Sequence, residues 1–354
     1  MKICHVTSVH QPEDIRIFHK ECMSLAKAGH DIYLVERGKS YEKNGVHIVG
    51  IGNLPTGKIK RITKGAKAAY DKALSLDCEV YHIHDPELIP YGIKLKKLGK
   101  KVIFDSHEDV PAQIMDKDWI PKQFRKMIAD IYKKYETQAV KQFDAVVAAT
   151  PHIADIFKGR AKKVIVVNNY PKLDDIQFHE TPFAERDAII CYAGGINELR
   201  GERIMIEAMK DVQGNLIIAG DHEKETIGGG ITYTGRLDRE GVNALYGKAV
   251  VGLCILKPIS NYFYSQPIKL YEYMAAGIPF ICSDFPLWRE LAIVSGAGIC
   301  VSPEDIKDIS RAINQLLNDR ELAQKMGRNG RQFVTKDCLW DKEEEKLVKL
   351  YCTM

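Results

Sequence analysis

The chain alternates short apolar runs with helix-patterned stretches, and it does so in two series separated by a pause. In the first series Ile3–Val6, Ile32–Val35, Val46–Ile51, Val80–Ile83, Val102–Phe104, Ala145–Ala148 and Val164–Val167 read as strands. Between them Ile15–Ala28, Ile59–Leu76, Leu88–Leu98 and Lys122–Gln142 read as helices. Residues 168–187 are polar, hold two prolines and lack periodicity. A second series follows, with strands at Ile189–Ala193, Leu216–Ala219, Ile231–Thr234, Val250–Ile255, Phe280–Cys282 and Gly298–Val301. Strands that alternate with helices pair in parallel and are covered on both faces. The expectation is an α/β chain of two Rossmann-like, doubly wound parallel-sheet domains, and 354 residues suffice for two cores. The domains are expected at 1–170 and 188–335, with a linker at 171–187. Residues 336–354, where Trp340 opens the last helix, are expected to pack toward the first domain. Ligands of such sheets bind beyond the carboxyl ends of the strands, so the two domains should face a cleft.

One segment of the second series carries its own chemistry. Ser265-Gln266-Pro267-Ile268-Lys269-Leu270-Tyr271-Glu272 through Gly277-Ile278-Pro279 reads as a single helix, with Pro267 at its first position and Gly277 past its end. Lys269 and Glu272 are three residues apart and share a face. The first-turn amides and Lys269 make an anion site, and Glu272 can accept from hydroxyls one turn deeper. A diphosphate followed by a ribose diol satisfies both; a surface helix with an i,i+3 ion pair also fits the pattern. Upstream, Gly194-Gly195 follow a strand, where two glycines allow close backbone approach, and Arg200 at a helix start can form paired bonds to phosphate.

Several classes are excluded or disfavoured. No run approaches the ~18 apolar residues of a transmembrane helix, and the polar start Met1-Lys2-Ile3-Cys4-His5 reads as a first strand rather than a leader. Nine cysteines without a C-x-x-C pair suggest reduced thiols in a cytosol. The net charge of +4 is uneven: residues 1–180 hold 30 Lys+Arg against 23 Asp+Glu, and residues 181–354 hold 21 against 24. Basic clusters at Lys58–Lys67, Lys94–Lys101 and Lys122–Lys134 suit solvated helix faces, an anionic acceptor, or peripheral contact with an anionic membrane. No nucleic-acid motif accompanies them, so no nucleic-acid partner is expected. His82 and His84 share a strand face without a third ligand at a known spacing, and Asp116-Lys117-Asp118 lies far from any nucleotide-binding strand. No metal is therefore expected.

The order and spacing of several motifs carry a resemblance: Gly194 to Gly201, Leu216–Asp221, Thr234-Gly235-Arg236-Leu237, Ala244-Leu245-Tyr246 and Lys269 to Pro279. Together with Leu25–His30 and Phe104-Asp105-Ser106-His107-Glu108 they resemble the family-four retaining glycosyltransferases of the GT-B fold, over nearly the whole chain. The resemblance implies transfer of a sugar from a nucleotide-diphosphate sugar, UDP ahead of GDP, without cofactor or metal. The acceptor would be a glycan or lipid-linked glycan in bacterial surface polysaccharide assembly, handled in the cytoplasm or at the inner membrane face. It implies catalytic roles for His107, Arg200 and Lys269, His107 reaching across the cleft to the donor sugar. Donor contacts would come from Gly194, Gly195, Arg200, Gly235, Arg236, Leu237, Ile268, Lys269, Leu270 and Glu272. Asp14, Arg16 and Glu108 are assigned to the acceptor.

Two positions depart from the family pattern. Gly195 stands where the family has an arginine, and Tyr264 where it has the first of two glutamates. A sugar-nucleotide 2-epimerase of the same fold and a non-catalytic nucleotide-sugar-binding partner are the competing readings. His107 could equally be a strand-end histidine bonded to backbone.

Overall fold

The computed structural model describes residues 1–53, 61–117 and 119–354. Lys58, Lys60, the first residues of the expected helix Ile59–Leu76, most of the loop 53–60, and Asp118 lie outside these. The chain divides into two compact units: Met1–Asn169 with Asp341–Met354, and Tyr170–Trp340.

The first unit is built on β1 (Lys2–Val6), β2 (Asp31–Glu36), β3 (Tyr41–Lys43), β4 (Val46–Gly50), β5 (Val80–Ile83), β6 (Lys101–Ser106), β7 (Ala145–Ala148) and β8 (Val164–Val166). Their order across the sheet is β3-β4-β2-β1-β5-β6-β7-β8, parallel except where β3 pairs antiparallel with β4. The order reverses direction beside β1, so a crevice opens at the carboxyl ends of β1 and β5. Between β1 and β2 the expected helix forms, with a π-helical turn over Ile17–Cys22 before α-helix Met23–Lys27.

The second unit repeats the plan with β9 (Ile189–Ala193), β10 (Asn215–Ala219), β11 (Glu225–Ile227), β12 (Ile231–Gly235), β13 (Val251–Cys254), β14 (Phe280–Ser283) and β15 (Gly298–Val301). The order is β11-β12-β10-β9-β13-β14-β15, with β11 antiparallel to β12. Its switch point lies at β9 and β13. The two antiparallel edge strands β3 and β11 escaped sequence reading because both are three residues long and exposed throughout. Gly228-Gly229-Gly230 is the turn of the β11–β12 hairpin, as its position between two runs suggests.

Central strands such as β5, β7 and β13 are buried at every residue, as expected for a sheet covered on both faces. The segment after Asn169 is irregular but packed: Ile176 and Phe183 join the second core, and Arg186 Nη1 donates to Ala249 O at 2.7 Å.

Candidate functional site

In the second unit, three glycine-bearing turns line up at the carboxyl ends of neighbouring strands. Gly194 N, after β9, donates to Ala219 O at 2.9 Å, and Gly220 N, after β10, donates to Gly235 O at 3.0 Å at the end of β12. Gly194 has φ +141°, and a Cβ there would stand 3.1 Å from Lys269 Nζ. A Cβ on Gly195 would stand 3.4 Å from the guanidinium carbon of Arg200. The Gly-Gly turn therefore brings bare backbone against both expected cations. Arg200 closes a short turn whose start is fixed by Asn197, Oδ1 accepting from Arg200 N at 3.0 Å.

Lys269 belongs to the first turn of the helix Ile268–Ala276, with Pro267 at its N-cap and Gly277 at φ +72° ending it. Pro267 stands one position earlier than expected, because its ψ of 122° is extended rather than helical. Every residue from Lys269 to Ala276 is buried, which overturns the surface-helix alternative. Lys269 is 7% exposed; its Nζ lies 3.6 Å from the centroid of the Tyr192 ring and has no hydrogen-bond partner among the described residues. Burial, aided by Arg200, pulls its pKa down to about 8. The ring that receives it is held by Tyr192 Oη donating to Gly195 O at 2.6 Å.

Glu272 does not pair with Lys269. Its Oε1 accepts from Arg239 Nη2 at 3.0 Å and its Oε2 from Tyr246 Oη at 3.2 Å. Arg239 was not singled out by sequence reading, and its own position is set by Asp238, which caps the helix Arg239–Lys248 through Gly241 N. Leu270 points into the core with no exposed surface, and its amide donates to Pro267 O, so its side chain is withdrawn from any ligand. Arg236 is 70% exposed at its side chain and pairs with Asp221 at 3.2 Å, beside Gly235 and Leu237. Tyr264 ends a short helix and is half exposed.

In the first unit, a cavity of about 430 Å³ opens at the switch point, lined among others by His10, Asp14, His84, Asp85, His107 and Glu108. Asp14 and Glu108, the residues expected at the acceptor, are both in its lining. Arg16 does not line it, and this corrects its assignment. It is 3% exposed, with Nε and Nη2 donating to Asp105 at 3.1 and 3.0 Å and Nη1 to Val167 O at 2.7 Å. Its donors are committed beneath the cavity floor. Despite a burial penalty that would raise it, the Asp105 carboxyl is held well below the usual carboxylate range by Arg16.

A buried chain runs from Asp105 toward the end of the polypeptide. Asp105 Oδ2 lies 3.3 Å from His84 Nδ1, His84 Nε2 lies 2.9 Å from His5 Nδ1, His5 Nε2 lies 3.4 Å from Tyr351 Oη, and Tyr351 Oη lies 2.7 Å from His82 Nδ1. From His84 Nε2 to His82 Nδ1 one set of tautomers satisfies the links, His5 and His82 donating from Nδ1 and Tyr351 Oη donating to His5 Nε2, while His84 Nδ1 approaches Asp105 without a hydrogen bond. Burial lowers His5 and His82, consistent with that assignment. The same side chains with Glu21 place one ligand atom each within 4.8 Å of one another, and could surround a metal ion. The hydrogen-bond chain accounts for their geometry without one, and the Arg16 guanidinium 3.0 Å from Glu21 opposes a dication. Burial and Asp105 raise the Glu21 carboxyl, against the lowering pull of Arg16.

His107 lines the cavity, with Nε2 3.6 Å from Asp105 Oδ2 and no hydrogen-bond partner among the described residues. Burial lowers it, so it is a neutral imidazole facing the cavity. Beside it His10 lies 3.4 Å from both Asp14 and Asp85; burial pulls its pKa down, but the two carboxylates outweigh this and raise it. His10 was missed because its neighbours in space come from three separate loops.

Residues 16–170 match the family described as Glycosyltransferase Family 4, and residues 174–333 match Glycosyl transferases group 1. The chain is a GT-B glycosyltransferase of the family-four type. A curated relative, glycogen synthase of Mycobacterium tuberculosis, is 20% identical over 95% of this chain and 90% of its own length. Among solved structures, sucrose-phosphate synthase from Thermosynechococcus elongatus superposes with a TM-score of 0.80 at 16% identity, covering 99% of this chain and 98% of that one. Anabaena HepE, solved with UDP-glucose, gives 0.73 at 11% identity with full coverage of both chains. At such identities the structural likeness speaks for the GT-B fold. In this glycosyltransferase, then, the buried ammonium and the guanidinium flank a Gly-Gly turn in one unit, and a histidine-lined cavity marks the other.

Proposed function

We propose that this glycosyltransferase moves a sugar, with retention of anomeric configuration, from a UDP-sugar to a glycan or lipid-linked glycan acceptor in surface polysaccharide assembly. The work would take place in the cytoplasm, at the inner face of the membrane. The observation that carries the donor assignment is Lys269: a buried ammonium with no hydrogen-bond partner among the described residues, beside a glycine backbone and Arg200. A buried cation without a counter-charge is costly, and a diphosphate would supply one. Solved neighbours of the same fold bind UDP or UDP-glucose, which supports a nucleotide-sugar donor.

Departure of a nucleotide diphosphate builds negative charge on the bridging and terminal oxygens. Arg200 and Lys269, beside the Gly-Gly turn, would meet that charge, as fixed cations do when they stabilise a leaving group. Those two cations can do for the leaving group what a divalent ion does elsewhere, so the reading needs no metal. Among the described residues the carboxylate nearest Lys269 along its helix is Glu272, whose oxygens are engaged by Arg239 and Tyr246. Retention then calls for the acceptor to attack from the leaving-group face, the departing phosphate taking its proton. Glu272 keeps free lone pairs for the ribose diol.

The test is a panel of nucleotide sugars screened by thermal shift, followed by donor hydrolysis in EDTA and product anomer analysis by NMR. A UDP-sugar should raise the melting temperature and be turned over with retention. Sugar interconversion without acceptor would instead show an epimerase, and affinity without turnover a non-catalytic binder.

A further inference from the structure

The cavity of the first unit is the electrostatic opposite of the Gly-Gly turn that carries Lys269 and Arg200 in the second. Among the described residues no lysine or arginine is in its lining, whereas Asp14, Asp85, Asp105 and Glu108 are. Asp105 is answered from below by the paired bonds of Arg16. Against the other three carboxylates the lining sets His10, 3.4 Å from both Asp14 and Asp85. The cavity is therefore negative on balance.

Two of these carboxylates are each fixed through one oxygen. Asp85 Oδ2 accepts from Thr7 Oγ1 at 3.0 Å, from Ser8 Oγ at 3.1 Å and from the Ser8 amide. Asp14 Oδ1 accepts from the amides of Arg16 and Ile17 at 2.9 and 3.1 Å. The remaining oxygen of each lies 3.4 Å from His10, a long contact that leaves lone pairs to spare. In the same lining, His84 Nδ1 and His107 Nε2 are buried and have no hydrogen-bond partner among the described residues, and His84 is only 1% exposed. Buried polar atoms without partners are costly, and a ligand in the cavity would supply the partners. Val9, Pro86 and Val110 add an apolar wall. Ionised carboxylates only accept, imidazoles accept or donate, and an apolar wall suits a C–H face. A sugar brings all three: O–H groups, ring and hydroxyl oxygens, and an apolar ring face.

We propose that the acceptor sugar entering this cavity is free of phosphate and carboxylate, held by its hydroxyls on Asp14 and Asp85, and that anionic sugars are refused. A phosphate here would lose its hydration with no lysine or arginine to replace it and would meet like charge. The inference deepens the glycan-acceptor reading and rests on this cavity being the acceptor's. Should the glycan hang from a lipid phosphate, that phosphate must stay outside. The first sugar would then be placed by an earlier glycosyl transfer, and this enzyme would extend the chain.

The experiment is NMR of the full chain, with UDP at saturation to fill the diphosphate seat. Methyl glucoside, methyl galactoside and glucosamine are compared with glucose 6-phosphate and glucuronate. At least one of the first three should shift the ring resonances of His10 and His107, and the two anionic sugars should bind at least about tenfold more weakly. Asp85→Asn should weaken the bound sugar at least about tenfold. Because Asp85 also holds Thr7 and Ser8, Glu108→Lys at an exposed position gives a second arm: it should keep the wild-type melting temperature and admit glucose 6-phosphate. An anionic sugar that shifts both histidines as tightly as the uncharged ones overturns the proposal. So does a panel in which no sugar shifts them. Uncharged sugars that bind here yet never receive a sugar from the donor would remove the acceptor reading and leave the charge preference standing.

Discussion

The Lys269 ammonium stands 3.6 Å from the centroid of the Tyr192 ring, without a hydrogen-bond partner among the described residues. The aromatic face compensates part of the lost hydration and leaves the donors of the ammonium available. On the proposed reading, that arrangement holds the ammonium ready for a diphosphate.

Replacing Lys269 with methionine should therefore separate stability from function. Donor turnover should fall at least ~10²-fold, the usual cost of losing one fixed charge partner of the transition state. The ligand-free variant should be more stable by on the order of 1–2 kcal/mol, because a desolvated charge gives way to an apolar side chain of similar length. Thermal melts with and without UDP check both halves.

The pH dependence follows from the same residue. Its folded pKa of about 8 lies below the ordinary 10.5. Between these values the unfolded chain holds a proton that the folded chain lacks, so this group makes the ligand-free protein more stable as pH rises through that window. Below it the penalty is fully present. Affinity for a diphosphate should run the other way and weaken as pH rises above about 8; titrations of UDP at graded pH read this directly.

Gly194 and Arg200 should fail differently. Gly194→Ala forces a side chain onto a φ of +141° and against Lys269, and should raise the Kd for UDP about tenfold or more, since such strain costs of order 1–3 kcal/mol. Arg200→Ala leaves the backbone intact and should cut turnover at least ~10²-fold. Steady-state kinetics beside binding isotherms distinguish the two.

Under the first cavity, charge pairing is structural. Arg16→Ala should destabilise the protein by roughly 3–5 kcal/mol, because Asp105 would be left buried and unpaired. Glu21→Gln should cost less than Arg16→Ala, since burial and Asp105 already push that carboxyl toward its neutral form. Denaturant titrations of both variants test this contrast.

His107→Ala should impair sugar transfer while leaving UDP affinity within a few-fold, because the imidazole lines the cavity of the first unit and has no structural hydrogen bond to lose among the described residues. A folded variant with wild-type transfer would show that its place is structural.

Local patterns were legible and long-range pairings were not. The Gly-Gly turn, Arg200 and the helix bearing Lys269 declare themselves through spacing and end residues, and the strand rhythm fixes parallel sheets. The partner of Glu272 is 33 residues away and that of Tyr351 is 269 away, and no periodicity links them. Arg16 reads as an exposed loop cation beside Asp14; only folding reveals that its guanidinium turns inward to Asp105.

Calorimetric titration of UDP into the wild-type protein and into the Arg200→Ala/Lys269→Ala double variant bears most directly on the central claim. Saturable binding by the wild type, weakened at least about a hundredfold in the variant, is the expected result. No heat of binding in the wild type, or equal affinity in the folded variant, would contradict a cationic seat for the leaving diphosphate.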